Sequence, residues 1–305
     1  MNHWFIIINP NAQSGRAFEE WRKIAVELQK QGVVYEYAFT KHPFHAPILV
    51  ENALKMGFRK IAAVGGDGTI HEVANGIMMQ QLEPTTEIEF GVIAAGTGSD
   101  WIKTHKIPKQ YEQAVATLKN GQNTLQDVGF IKYRLNEQEV SRYFFNVAGM
   151  AYDAYVAEKL LGMPRGGLSG EVFYLLSILR CMKGYEAMEM RIKGDDFEYE
   201  GKVFCLNVGI CRYSAGGMQI VPRSIPDDGL FDVTIIEDLS FLKVLRNIPR
   251  LYMGSIYNAP QAKHFRTKTL EIQSDLSLVE AEGEILGKAP FSFSILPKML
   301  NLKVP

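Results

Sequence analysis

Long apolar runs are missing from this chain of 305 residues. No stretch of about 18 uncharged apolar residues occurs, which excludes a membrane-spanning helix. The apolar start WFIIIN is cut off by Pro10, too soon for a signal peptide, and reads as a strand. An excess of one charge is missing too. Lys and Arg number 33 against 34 Asp and Glu, for a net charge of −1, so the chain has no general pull on nucleic acid or an anionic membrane. No nucleic-acid partner is expected, and any anionic ligand must be held locally. Cysteine is scarce: Cys181, Cys205 and Cys211 form no C-x-x-C pair and read as small buried side chains in a reducing cytosol. Low-complexity segments, long linkers and solenoid-period repeats are absent as well. What remains is a cytoplasmic globular protein whose length suits two domains.

The pattern that is present changes character partway along. Up to about residue 120, strand and helix signatures alternate: strands at 4–9, 33–40, 59–64 and 89–95, helices at 18–30, 46–57 and 111–121. Phe18, Trp21, Ile24, Ala25 and Leu28 share one helical face, and Ile70, Val73, Ala74 and Ile77 form an i, i+3, i+4, i+7 stripe. Such alternation predicts a parallel sheet covered by helices on both faces. Beyond that, strand-like runs dominate, at 143–152, 189–194, 202–210, 230–237, 269–274 and 291–296. Two helices are expected among them, 171–185 and 240–254, the second bent or broken at Pro249. The expected division is 1–128, a nucleotide-binding αβ domain to which the tail 297–305 returns, and 129–296, a β-rich substrate domain.

In an open parallel sheet, ligands bind beyond the carboxyl ends of the strands. Three loops there are rich in small residues and in hydroxyl or amide groups: NPNAQSGR after the first strand, GGDGT after the third and AAGTGSD after the fourth. Together they read as a polyphosphate cradle of backbone amides and hydroxyls such as Thr69 and Thr97. There is no G-x-x-x-x-G-K-[ST] and no G-x-G-x-x-G. A carboxylate in such a cradle would repel phosphate, so Asp67 either caps the following helix or faces a divalent cation.

VGGDGTIHEVANGI with GTGSD, NPNAQSGR, IPDDGLFDV and AEGE resembles the diacylglycerol kinase catalytic-domain family, in its soluble bacterial lipid-kinase branch, which is similar to sphingosine and ceramide kinases. In chain order these five motifs span residues 9 to 284. The resemblance implies an N-terminal Rossmann-like αβ domain of the NAD kinase and diacylglycerol kinase type, followed by a β-sandwich-like domain. It implies nucleotide contacts at Asn9, Thr40, Gly65, Gly66, Asp67, Gly68, Thr69, Ile70, His71, Gly96 and Thr97. It further implies a Mg²⁺ site at Asp228 with the carbonyls of Ile225 and Leu230, and Glu284 as general base, with Asp67 assisting Mg²⁺ and ATP. Two positions depart from the family pattern: Ser99 stands for the asparagine of G-T-x-N-D and Glu282 for the aspartate of D-G-E.

The expected activity is ATP-dependent transfer of a phosphoryl group to the hydroxyl of a lipid of the diacylglycerol, phosphatidylglycerol or sphingoid and ceramide type. The lipid is met at the membrane surface by a cytoplasmic or peripheral protein, and a homodimer is left open. An NAD kinase, which also carries GGDGT, and a catalytically weak nucleotide-binding regulator are the alternatives. Other residues read as bland: His71, taken alone, as a surface hydrogen-bonding residue at a helix start, and His42 and His45 as no zinc pair, for want of i, i+4 spacing and a carboxylate.

Overall fold

A computed structural model describes residues 3–10, 17–95, 100–161, 170–275 and 277–305. The chain divides into two compact units, Met1–Gln126 with Lys298–Pro305, and Asp127–Pro297.

In the first unit, β1 (Trp4–Ile8), β2 (Tyr35–Phe39), β3 (Lys60–Gly65) and β4 (Glu89–Ala94) pair in parallel in the order β2-β1-β3-β4. Every residue of β1 is buried, which is why WFIII is apolar without alternation: a parallel strand is covered on both faces. On one face α1 (Ala17–Lys30) and α5 (Tyr111–Asn120) bring Trp21, Ile24, Leu28, Ala114, Val115 and Leu118 onto Ile6, Ile8 and Val64. The alternation of β1 leaves Phe5 and Ile7 for the other face, where α2 (Ala46–Lys55) and α3 (Asp67–Met79) pack on each other and on the strands. All four residues of the predicted α3 stripe are buried. Phe18 is not: it stands exposed one turn before Trp21, resting against Phe39. A short helix, α4 (Asp100–Thr104), was not foreseen.

The second unit is antiparallel throughout its pairings. Its strands are β5 (Gln122–Leu135, entering from the first unit), β6 (Gln138–Phe144), β7 (Val147–Ala151), β8 (Met188–Gly194), β9 (Glu198–Gly209), β10 (Phe231–Glu237), β11 (Ala262–Thr267), β12 (Thr269–Gln273), β13 (Leu278–Ala281) and β14 (Glu284–Val304), whose end from Lys298 belongs to the first unit and pairs in parallel with β4. Pairings run β9-β7-β13-β14-β12-β8 and back to β9, so they close on themselves. Phe144, Phe231 and Phe293 meet at ring distances of 5.8 to 6.4 Å inside it.

Three helices accompany these strands, α6 (Tyr152–Leu160), α7 (Gly170–Cys181) and α8 (Phe241–Tyr252). The expected strand 143–152 is divided, because the N–H groups of Phe145 and Asn146 donate to the Glu282 carboxylate instead of a neighbouring strand. Helix α8 continues through Pro249. The proline deprives the Leu245 carbonyl of its helical donor, but Leu245 is exposed and water can replace the bond. Cys205 and Cys211 are buried, whereas Cys181 is only half-buried.

Candidate functional site

The order β2-β1-β3-β4 reverses direction between β1 and β3, and the loops leaving those two strands therefore part to either side of a crevice. Asn9 follows β1, and its side-chain amide donates to Thr69 Oγ1 at 3.1 Å. Thr40 follows β2, with its N–H on the Ile8 carbonyl at 2.8 Å. Gly65 ends β3 and its carbonyl accepts from Ala95 N–H at 2.9 Å. Asn9, Thr40, Gly65 and Thr69 are thus gathered at the carboxyl ends of adjacent strands.

Helix α3 starts inside the GGDGT motif. Gly66 is its N-cap, its carbonyl accepting from Ile70 N–H at 3.1 Å, and Asp67 is the first helical residue. Asp67 therefore does not occupy the cap; its charge lies in the first turn, where the helix dipole favours it. Gly65 has a packing reason, since a Cβ there would come within 2.5 Å of Thr69 Oγ1. At Gly66 and Gly68 a Cβ would meet no described residue within 4 Å. His71 is a correction to the surface reading: it is buried, with Asn75 Nδ2 3.1 Å from its Nε2, and it fixes the first turn from inside. Gly96, Thr97 and Ser99 lie outside the described residues.

In the second unit, Glu284 opens β14 directly after a hairpin. Ala281 pairs with Glu284 across a two-residue turn in which Glu282 has φ 56° and Gly283 φ 85°. Such turns need positive φ at both central residues, which favours Asn, Asp or Gly at the first. Glu282 tolerates this position with a compensation: its Oε1 accepts from Phe145 N–H at 2.6 Å and Asn146 N–H at 3.0 Å. The carboxylate thereby ties the hairpin to the β6-β7 turn. Glu284 is paired with Arg142, whose Nη2 donates to Oε2 at 3.0 Å, and its side chain is 34% exposed. Arg142, on β6, was missed by sequence reasoning because its neighbour is 142 residues away in the chain.

The DDG segment is a tight turn in which Asp228 and Gly229 are held by hydrogen bonds. Asp228 Oδ1 accepts from Leu230 N–H at 3.1 Å, and Oδ2 is bound by Arg266. Gly229, at φ 75°, donates to Asp127 Oδ2 at 2.6 Å. Asp232 is fully buried and meets His264 Nε2 at 2.5 Å and Arg266 Nε at 3.4 Å. Ile225 is exposed. Arg266 thus supplies, between two aspartates, positive charge of the kind a cation would bring to Asp228.

Two further carboxylates were not anticipated. Asp153 lies in the first turn of α6 and Glu280 on β13, both partly exposed but tightly surrounded. Burial raises both carboxyls, and the charge of Asp153 raises Glu280 further, up to about 8. Gly149 makes the space: a Cβ there would approach Glu280 Oε1 to 2.6 Å and Asp153 Cβ to 2.8 Å. Asp153 also borders an open, mainly apolar cavity of about 90 Å³, walled by Ile178, Phe204, Met218, Ile236, Val244 and Leu251. An apolar chamber with one carboxylate at its wall suits an apolar ligand that carries a polar group. These residues come from α6, α7, β9, β10, α8 and the segment between β9 and β10, so no local motif marks the chamber.

Residues 3–131 match the diacylglycerol kinase catalytic domain, and residues 146–304 match the YegS C-terminal NAD kinase beta sandwich-like domain. The chain is 27% identical to "Putative lipid kinase YtlR" of Bacillus subtilis (strain 168), over 99% of this chain and 100% of that protein. It is 26% identical to the diacylglycerol kinase of Staphylococcus aureus (strain MRSA252), over 98% of this chain and 91% of that protein. The crystal structure of a diacylglycerol kinase from Bacillus anthracis str. Sterne matches with a TM-score of 0.74, over 99% of this chain and 97% of that one, at 20% identity, a likeness of fold. The chain belongs to the diacylglycerol kinase family, joining its catalytic domain to the YegS-type C-terminal domain.

Proposed function

We propose that this kinase-family chain transfers the γ-phosphoryl group of ATP to the hydroxyl of a membrane-derived lipid. The observation that carries the lipid acceptor is the apolar chamber beside Asp153. Its walls are mainly hydrocarbon, which suits an acyl chain rather than a freely soluble polar acceptor.

In the transfer, the lipid hydroxyl oxygen forms a bond to the γ-phosphorus while the bond to the β–γ bridging oxygen breaks, and ADP leaves with that electron pair. Glu284 accepts the hydroxyl proton; Arg142 holds its carboxylate in one orientation. Asn9, Thr40, the amides of Gly65 to His71, and Gly96 and Thr97 bind the nucleotide. Transfer of this kind depends chiefly on positioning and charge stabilisation.

Mg²⁺ fits at Asp67, a hard oxygen ligand in the turn between Gly66 and Gly68. When bound, it neutralises phosphate charge and lets the carboxylate serve the anion cradle. The second cation site, Asp228 with the carbonyls of Ile225 and Leu230, requires Arg266 to release Asp228, and no step is assigned to it.

The test is a panel of acceptors. Pure protein is given γ-labelled ATP, Mg²⁺ and micelles of diacylglycerol, phosphatidylglycerol, ceramide or a sphingoid base, with NAD as control. Label in one lipid class and none in NAD is expected; label in NAD alone would overturn the lipid reading.

A further inference from the structure

Helix α8 does two things with its surface. Val244 and Asn247 are buried, and with Leu251 they form part of the chamber wall. The adjoining sector carries Phe241, Leu242, Leu245 and Met253, all exposed, with Leu242 at 75% and Met253 at 69%. At 100° per residue, this apolar sector continues round the helix into Arg246, Arg250 and Lys243. Arg250 Nη1 donates to Asn247 Oδ1 at 3.0 Å. No carboxylate pairs with Lys243 or Arg246 among the described residues. From Leu239 to Leu270 the sequence contains no acidic residue at all.

A helix of this length, about 18 Å, cannot cross a bilayer. Exposed Leu and Phe bordered by Lys and Arg are instead the composition of a helix lying in the headgroup region. We infer that α8 docks the protein on an anionic bilayer surface, its apolar sector entering the acyl boundary and Lys243, Arg246 and Arg250 meeting lipid phosphates. The charge argues for this occupant over a second copy, because a two-fold contact through the same face would set cation against cation. Position argues for it too. The helix that meets the bilayer is also a wall of the acyl chamber, so a lipid would enter beside the docking face without crossing open water. This purpose rests on the proposed lipid acceptor, but the docking itself does not.

Binding is read by sedimentation with vesicles, without nucleotide. Vesicles of phosphatidylcholine alone are compared with vesicles containing about one third phosphatidylglycerol, where each basic side chain near the surface contributes about fivefold in affinity. The wild type should bind the anionic vesicles and weaken in high salt. Leu242→Glu with Leu245→Glu, and separately Lys243→Glu with Arg246→Glu, should each bind at least tenfold more weakly while keeping the wild-type thermal midpoint. Neither pair lines the chamber, so transfer to a short-chain acceptor in free solution should be unchanged.

Undiminished vesicle binding in both double variants, or no binding by the wild type, overturns the docking. So does a wild-type dimer in sedimentation velocity that Leu242→Glu converts to monomer, since α8 is then a self-association face. Vesicle binding through α8 without label transfer to any lipid leaves the docking standing and refutes the kinase reading instead.

Discussion

Glu284 enters the proposed chemistry already paired with Arg142. In Glu284→Gln the acceptor of the hydroxyl proton is gone while the ion-pair partner keeps a carbonyl to bind, so kcat should fall by about 10² to 10⁴ with nucleotide affinity nearly unchanged. Arg142→Ala should lower kcat less, with Arg142→Lys restoring part of it; equal KM and kcat losses in both variants would mean the arginine only supports the fold. Glu280 makes a different prediction, about pH. Its carboxyl holds a proton up to about pH 8 in the fold but ionises near 4.5 when exposed. Between those values the unfolded chain has already given up the proton, so rising pH weakens the fold; the stability is full below about 4.5 and is lost towards 8. Asp153 is raised in the same direction. Glu280→Gln should therefore flatten the decline in melting temperature between pH 5 and 8, and a decline as steep as the wild type's would remove Glu280 as its source. Asp67 and Glu284 stand out in the sequence because each lies in a short glycine-bearing motif. Arg142, Asp153 and Glu280 were not, because their meaning lies in neighbours that only the tertiary structure supplies.

At the scale of elements, the joint between β7 and α6 is strained. Ala151 has φ 61° and ψ −113°, a region that glycine occupies far more readily than any residue with a Cβ. That conformation turns the chain sharply enough to set Asp153 two residues after the strand. Ala151→Gly should raise unfolding free energy by about 1 kcal/mol in a denaturant titration, the relief of strain exceeding glycine's entropy cost; a loss would show the joint is unstrained. Gly65→Ala acts oppositely, pressing a methyl group onto Thr69 and displacing the first turn of α3. Nucleotide affinity should drop about tenfold or more, as the amides of that turn lose their alignment. The parallel strands were readable because burial on both faces makes them continuously apolar, and α3 because its four-residue stripe is regular. The run 143–152 misled because YFFNVAGMAY has strand composition throughout; the break at Phe145–Asn146 depends on Glu282, more than 130 residues later. Helix α6 was hidden in the same way, since its polar and apolar residues serve a chamber wall and a carboxylate site together.

For the whole molecule, the sequence marks two chemical tasks and assigns them to differently built units: a parallel sheet whose strand ends gather Asn9, Thr40, Gly65 and Thr69, and an antiparallel unit carrying Glu284, Asp153 and the apolar chamber. Net charge near zero gave no hint of the basic and apolar face of α8, because its basic residues are balanced by acids elsewhere in the chain; the proposed docking face rests on their placement beside exposed Leu242 and Leu245. The apolar chamber has no code in the motifs, since it is assembled from five separate elements and the segment between β9 and β10. The central claim, phosphoryl transfer to a lipid hydroxyl with Glu284 taking the proton, is tested most directly by following γ-label from ATP into diacylglycerol micelles with the wild type and Glu284→Gln side by side. Labelled lipid from the wild type, at least a hundredfold less from the variant, and unchanged nucleotide binding are predicted. Labelled lipid at equal rates from both proteins would contradict the account.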